Sequence, residues 1–322
     1  MLIEPMSACA ENSLCRLVIA AERGSPDAGD PTGADTTGEG APSAERLSDH
    51  VGRPALGLVG QVDGSPVALA VAWRRTSFSG EAMHGVAVWV SPERQRRGIG
   101  RRLLGALLEA LEPEGGTVIA FPAPENVAAE TMLRAAGFHP FETTDRVVLD
   151  PDRLSSIAPQ AGTGEMPTIL GPADDRWDHD IAELFNRGFR GDPLVSPFLP
   201  GTVAGWRSDP ALSLLALERD GGPAAVAVIV ARPAELSLDW FLVARRHWGT
   251  GLAGEFVLTL SRLLVERARS AGIPLIGAVV RRRNAAIRRI YEEAGWVRTG
   301  SSVIWGRKVG CRTYSQDGEQ DR

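Results

Sequence analysis

Two short turns in the chain share a spacing that suits an anion. Gln95-Arg96-Arg97-Gly98-Ile99-Gly100 and Arg246-His247-Trp248-Gly249-Thr250-Gly251 both read as Gln or Arg, two residues, Gly, one residue, Gly. Each stands between an apolar run with strand character and an amphipathic run with helical spacing. Glycine there lets the backbone approach a ligand closely. The unpaired N–H groups of the first helical turn then face it, together with the positive end of the helix dipole. A pyrophosphate suits such a turn. The competing account is a tightly packed helix entry without a ligand, and two turns followed by the same downstream pattern favour binding.

That downstream pattern runs from Asn126 to Gly137-Phe138 and from Asn284 to Gly295-Trp296. Asn can cap a helix and Gly can end one, so local structure accounts for both. It does not account for Tyr291, one of only two tyrosines in the chain.

The elements that position these residues occur twice. Asp63-Gly64-Ser65-Pro66 leads into the apolar run 67–72, and Asp220-Gly221-Gly222-Pro223 into 224–230; each reads as a hairpin turn entering a buried strand. A second strand follows (84–90; 236–243), then the glycine turn and an amphipathic helix (100–111; 251–270). A short strand (117–121; 274–280) and a helix (126–136; 284–294) complete the unit. Trp89 and Trp240 each stand nine residues before a turn glycine, Gly98 or Gly249, and are equated on that spacing. Duplication is the simplest account.

The spacing Asn284, Tyr291, Gly295, Trp296 resembles the last motif of the GNAT superfamily of N-acyltransferases, and the two turns resemble that family's acyl-CoA loop. The resemblance covers most of 55–149 and 166–309. It implies an α/β (mixed α+β) fold of two tandem modules. Each is a twisted mixed sheet, flanked by helices, whose parallel central strands splay apart to admit the pantetheine arm of CoA. The arrangement is similar to that of the mycothiol synthases. Expected boundaries are 1–150 for a first module, read as degenerate, with a flexible loop near 24–42, 151–167 for a linker, and 168–322 for a second, catalytic module. The Gly24–Pro42 stretch has almost no large apolar side chains to offset its ordering entropy, and Pro, Ser, Gly and Gln break the strand pattern after Leu149.

The resemblance implies acetyl-CoA as acyl donor, no metal, and an amine acceptor of a small molecule or peptide attacking directly in a ternary complex. Donor-binding candidates are Gln95, Arg96, Arg97, Gly98, Ile99, Gly100 and Asn126 in the first half. In the second they are Phe241, Leu242, Val243, Arg246, His247, Trp248, Gly249, Thr250, Gly251 and Asn284. A backbone N–H near Phe241 and Leu242 is expected to meet the thioester carbonyl. Tyr291 is the candidate acid for the leaving thiolate, a phenol near 10 against a thiol near 8.5. Its counterpart is Leu133. Asp239 is the candidate base, because Asp is depleted in strands and alternation puts this one on a face with Ser237 and Phe241. Val88 is read as its counterpart. Glu235 is its rival, and a solvent-facing carboxylate the plain alternative. His84 reads as structural or as a base of the first half. Arg281-Arg282-Arg283 reads either as a contact for the 3′-phosphate of CoA or as a solvated basic loop. A non-catalytic acyl-CoA sensor or scaffold is the alternative function.

Composition bounds these readings. The 322 residues suffice for two domains, and 43% hydrophobic with 23% charged residues is the balance of a globular protein. A formal net charge of -5 provides no broad cationic field for nucleic acid or anionic lipid. Cys9, Cys15 and Cys311 form no framework or zinc spacing. No apolar run is long enough to span a bilayer, so a cytoplasmic location is expected.

Overall fold

The computed structural model describes residues 1–6, 56–78, 80–157, 166–171 and 173–310. The expected flexible loop at 24–42, residues 158–165 of the expected linker and all three cysteines lie outside these residues. The chain divides into two compact units. Among described residues the first comprises 1–6, 56–141 and 304–310, less residue 79, and the second 142–303 less 158–165 and 172.

In the first unit, β1 (Leu2–Pro5), β2 (Leu56–Val62), β3 (Ser65–Thr76) and β4 (Ala82–Val90) pair antiparallel in that order. The β2–β3 turn has φ of 51° at Asp63 and 74° at Gly64, the two positive values that a tight hairpin needs. β5 (Gly116–Ala120) joins β4 in parallel after the crossover helix α1 (Ile99–Leu111). α1 turns Leu103, Leu104, Leu107, Leu108 and Leu111 inward, and each is almost fully buried. A buried leucine of this kind stabilises by about 1.5–3 kcal/mol. α2 (Val127–Ala135) follows, and β6 (His139–Leu149) begins here.

The second unit repeats the plan. α3 (Pro151–Ser156) precedes β7 (Thr168–Leu170), α4 (Asp178–Gly188) and α5 (Pro200–Ser208). Then β8 (Leu212–Arg219), β9 (Gly222–Arg232) and β10 (Glu235–Val243) pair antiparallel in sequence. The crossover helix α6 (Leu252–Ala271) leads to β11 (Leu275–Arg281), parallel to β10. α7 (Ala285–Glu293) and β12 (Trp296–Val309) are the last elements among the described residues. The core between sheet and α6 gathers Leu236, Leu238, Phe256, Leu260, Leu264, Tyr291 and Trp296.

Each unit takes its last strand from a distant stretch of chain. Gly116 to Ala120 of β5 pair antiparallel with Val309 to Trp305 of β12, so the first unit is completed by a stretch far from β5 in sequence. Gly277 to Arg281 of β11 pair with Val148 to Thr144 of β6, a strand that starts in the first unit. The units are therefore not the consecutive blocks 1–150 and 168–322. Trp305 is buried in the first unit under the guanidinium of Arg134, 4.6 Å above its ring, and Arg307 donates to the carbonyl of Ala136 at 2.5 Å.

Candidate functional site

The anion turns form in both units. Gly98 caps α1 with φ of 74°, and Gly251 caps α6 with φ of 86°. Two residues earlier, Arg96 has φ of 59° and Gly249 of 77°. Gly98 is thus the counterpart of Gly251, and Arg96 that of Gly249. The spacing-based pairing of Gly98 with Gly249 is displaced by two residues. Hydrogen bonds agree: the Gln95 amide donates to the carbonyl of Val90 at 3.2 Å, and the Trp248 indole N–H donates to that of Val243 at 2.9 Å. Trp248 stands where the first unit has Gln95. The space beside Gly98, Gly249 and Gly251 is open, with no atom within 4 Å of where a side chain would start. An anion can therefore reach the first-turn N–H groups of α1 and α6. Thr250 donates to the carbonyl of His247 at 2.7 Å, and the Arg246 guanidinium to the His247 ring at 3.1 Å. Arg97, Ile99 and Gly100 lie at the mouth and first turn of α1, where Gly100 faces Met132 and Val90.

The central parallel strands part in both units. Pairing between β4 and β5 ends at Val86 with Ala120, and pairing between β10 and β11 at Leu238 with Ala278. β4 and β10 run on without those neighbours, leaving a cleft edge of backbone along Phe241, Leu242 and Val243.

Only the second unit carries an irregularity at the fork. β3 pairs with β4 without a shift, whereas β9 and β10 slip by one residue between Leu238 and Trp240. Asp239 is the extra residue of this bulge. Below it Leu238 matches Val86; above it Trp240 matches Ala87, and Val243 matches Val90. Asp239 has no counterpart in the first unit, which corrects its pairing with Val88 and that of Trp240 with Trp89. The bulge also reverses the alternation of side chains. Leu236, Leu238, Phe241 and Val243 face the α6 core, and Phe241 packs 5.8 Å from Phe256. Trp240 and Leu242 face α4, with Trp240 against Phe185, Phe189 and Phe198. Asp239 therefore shares a face with Ser237, as expected, but not with Phe241.

A cavity of about 350 Å³ opens at the fork, lined by Arg146, Arg232, Glu235, Ser237, Asp239, Trp240, Ala278 and Val279. Ser237 is buried and donates to Asp239 Oδ1 at 2.5 Å. The Arg232 guanidinium lies 3.8 Å from Asp239 Oδ2. Glu235, the rival carboxylate, accepts a 2.9 Å hydrogen bond from Arg146. Arg146 carried no signal in the sequence, because it arrives on β6. Arg232 was equally silent, as the last residue of a strand.

The other candidates lie outside the lining of this cavity. Asn126 and Asn284 cap α2 and α7, accepting from the N–H groups of Ala129 at 2.9 Å and Ile287 at 3.2 Å. Leu133 and Tyr291 occupy equivalent buried places on those helices. Burial raises the Tyr291 phenol well above its ordinary value, and its ring lies 5.0 Å from that of Trp296. His84 is buried and its Nε2–H donates to the carbonyl of Gly115 at 3.1 Å. The three arginines are engaged by carboxylates: Arg281 by Asp192, Arg282 by Asp145 at 2.8 Å, Arg283 by Glu142 at 2.8 Å. Asp145 is fully buried, and its hydrogen bond from Arg282 holds its carboxyl below the usual range against the opposing effect of burial. Among described residues no helix is long and apolar enough to cross a membrane, and no group of three or more His, Cys, Asp or Glu is placed to hold a metal.

Comparison with known proteins bears on both units. The family model described as "Acetyltransferase (GNAT) family" matches residues 30–138 and 179–296. A mycothiol acetyltransferase of Clavibacter michiganensis subsp. michiganensis is 33% identical over 177 residues, 52% of this chain and 54% of the relative, so the match spans about half of that protein. Among solved structures, a tandem GNAT protein from the clavulanic acid biosynthesis pathway aligns over 95% of this chain and 98% of its own, at 18% identity and a TM-score of 0.66. A GCN5-related N-acetyltransferase from Sphaerobacter thermophilus aligns over 95% of each chain, at 18% identity and a TM-score of 0.62.

Proposed function

From the premise that the chain belongs to the GNAT acetyltransferase family, with two such domains in tandem, we propose that its second unit transfers the acetyl group of acetyl-CoA to an amine held at the Asp239 cavity. The observation that carries this reading is the bulge: it sets an ionisable side chain at the fork of β10 and β11 in the second unit and has no equivalent in the first. Bulges re-aim side chains next to active sites.

The open glycine turn at Gly249 to Gly251 and the N-terminus of α6 fit the pyrophosphate of the donor. Its pantetheine arm lies in the cleft between β10 and β11, where a backbone N–H in the stretch Phe241 to Val243 stabilises the oxyanion. The amine nitrogen attacks the thioester carbonyl carbon. The new C–N bond forms, the C–S bond breaks with its electron pair passing to sulfur, and the nitrogen's proton passes to Asp239 directly or through water. Tyr291, which burial keeps protonated, hydrogen-bonds the departing thiolate and passes it a proton that solvent replaces, while Asp239 returns the amine's proton to solvent. The first unit retains the donor turn at Gln95 to Gly100 without a counterpart of Asp239 or of the phenol, so we assign it donor binding without this chemistry.

The test is CoA release from acetyl-CoA against amino acids, peptides, amino sugars and aminoglycosides. Turnover that Asp239→Asn abolishes supports the reading, and turnover that survives Asp239→Asn but is lost on substitution of Gly98 moves the site to the first unit.

A further inference from the structure

The cavity at the fork holds two side chains of each charge, and they are not equally satisfied. Arg146 and Glu235 are joined by a 2.9 Å hydrogen bond. Arg232 and Asp239 are only 3.8 Å apart at their nearest atoms, beyond hydrogen-bond distance, and Asp239 Oδ1 is already taken by Ser237. The Arg232 guanidinium, about one-third exposed, makes no hydrogen bond among the described residues. Its planar array of donors matches a carboxylate, which it can grip through two parallel bonds.

Resting on the reading of Asp239 as the amine-side carboxylate, we propose that the acceptor is an α-amino acid, its nitrogen directed at Asp239 and its carboxylate at Arg232. The two charged groups of such a molecule sit on one carbon. Laid against a cation and an anion 3.8 Å apart, they meet both with opposite charge. A plain monoamine leaves the guanidinium facing the ligand without an acceptor, which costs affinity. A polyamine or aminoglycoside brings surplus positive charge to a cavity whose four charges sum to zero, so like-charge contact with Arg146 and Arg232 opposes it. Ala278, Val279 and the face of Trp240 form the wall left for the acceptor's side chain.

The test compares each α-amino acid with its own carboxamide, using the full chain, saturating acetyl-CoA and CoA release as readout. The acid is expected to exceed the amide in kcat/KM by on the order of tenfold to a hundredfold, the usual worth of a charge-assisted pair. Arg232→Gln raises KM for the acid by a similar factor while the amide changes little, and Arg232→Lys restores part of the preference. Equal use of acid and amide by the unsubstituted protein overturns the proposal and needs no variant to fold. So does an Arg232→Gln effect that is the same on both. Turnover of carboxylate-free amines with no amino acid accepted also overturns it, and leaves the role of Asp239 standing if Asp239→Asn abolishes that turnover. Absence of turnover with every amine defeats both this proposal and the reading beneath it.

Discussion

Ser237 donates a 2.5 Å hydrogen bond to Asp239, two residues further along the same strand, across the point where that strand loses its parallel neighbour. Residues two apart in a strand share a face. The bond fixes one carboxylate oxygen and leaves the other turned to the cavity.

Asp239→Asn is expected to lower kcat/KM by about a hundredfold to ten-thousandfold, the usual range for loss of a general base, with acetyl-CoA affinity nearly unchanged. Ser237→Ala, which frees the carboxylate without removing it, costs far less. Steady-state kinetics beside calorimetric titration of acetyl-CoA checks both. An unimpaired Asp239→Asn enzyme removes the base assignment.

The glycines of the second turn differ in what they tolerate. Gly251→Val forces a β-branched residue to φ near 86°, a conformation that costs ordinary residues about 1–2 kcal/mol and β-branched ones more. Loss of acetyl-CoA binding at that turn is expected. Gly249→Asn is milder, because the first unit holds Arg96 at the same place with φ of 59°. Affinity within a few-fold of the original is expected for Gly249→Asn, and titration stoichiometry separates the two variants.

Tyr291→Phe keeps the ring that packs on Trp296 and deletes only the hydroxyl. A fall in kcat of about tenfold or more, with unchanged acetyl-CoA affinity, is expected of a lost proton donor. Burial raises the phenol above its ordinary value near 10, so it stays protonated across the working range. Tyr291 accordingly produces no alkaline fall in rate below about pH 10. An alkaline limb that disappears in Tyr291→Phe would contradict this.

Asp145 links stability to pH. Arg282 depresses its folded-state pKa, so its contribution is present above the ordinary carboxylate value of about 3.9 and is lost as pH falls through the lower folded value. Asp145→Asn is expected to cost about 1–2 kcal/mol near neutral pH, a modest figure because its arginine partners reach solvent. Urea unfolding at pH 7 and at pH 3 should show the gap between the two proteins closing in acid.

Much of this was legible in the sequence. Asp63-Gly64 and Asp220-Gly221 announced hairpins, and the glycine turns marked where α1 and α6 begin. Spacing failed at the bulge, because an inserted residue leaves no compositional mark. Trp89 and Trp240 match by count from a glycine, yet strand pairing sets Trp240 opposite Val228 and matches it with Ala87. The run Arg281-Arg282-Arg283 reads as free positive charge until distant Asp145, Glu142 and Asp192 are brought to it. Pairing of β12 with β5 was equally hidden, since local order suggests that each half keeps its own strands.

A chain ending at Val303 lacks the part of β12 that pairs with β5, and with it the buried indole of Trp305. The damage is expected in the first unit rather than the second. Hydrogen exchange should show lost protection along β4 and β5, while β9 and β10 keep theirs. Equal protection in all four strands would mean that β12 is dispensable to the first unit.

The same pairing sets an order of events during synthesis. Domains ordinarily fold as they leave the ribosome, the N-terminal one first. Here the first unit waits, because the strand that covers β5 ends at Val309. At usual elongation rates the interval between Phe141 and Val309 is about ten to thirty seconds. Throughout it β5 presents an open edge, the kind of surface on which nascent chains join one another. The second unit also needs the chain as far as Val303, so it is complete only a few residues before Val309 closes the first, and the half that begins last is still the first able to finish.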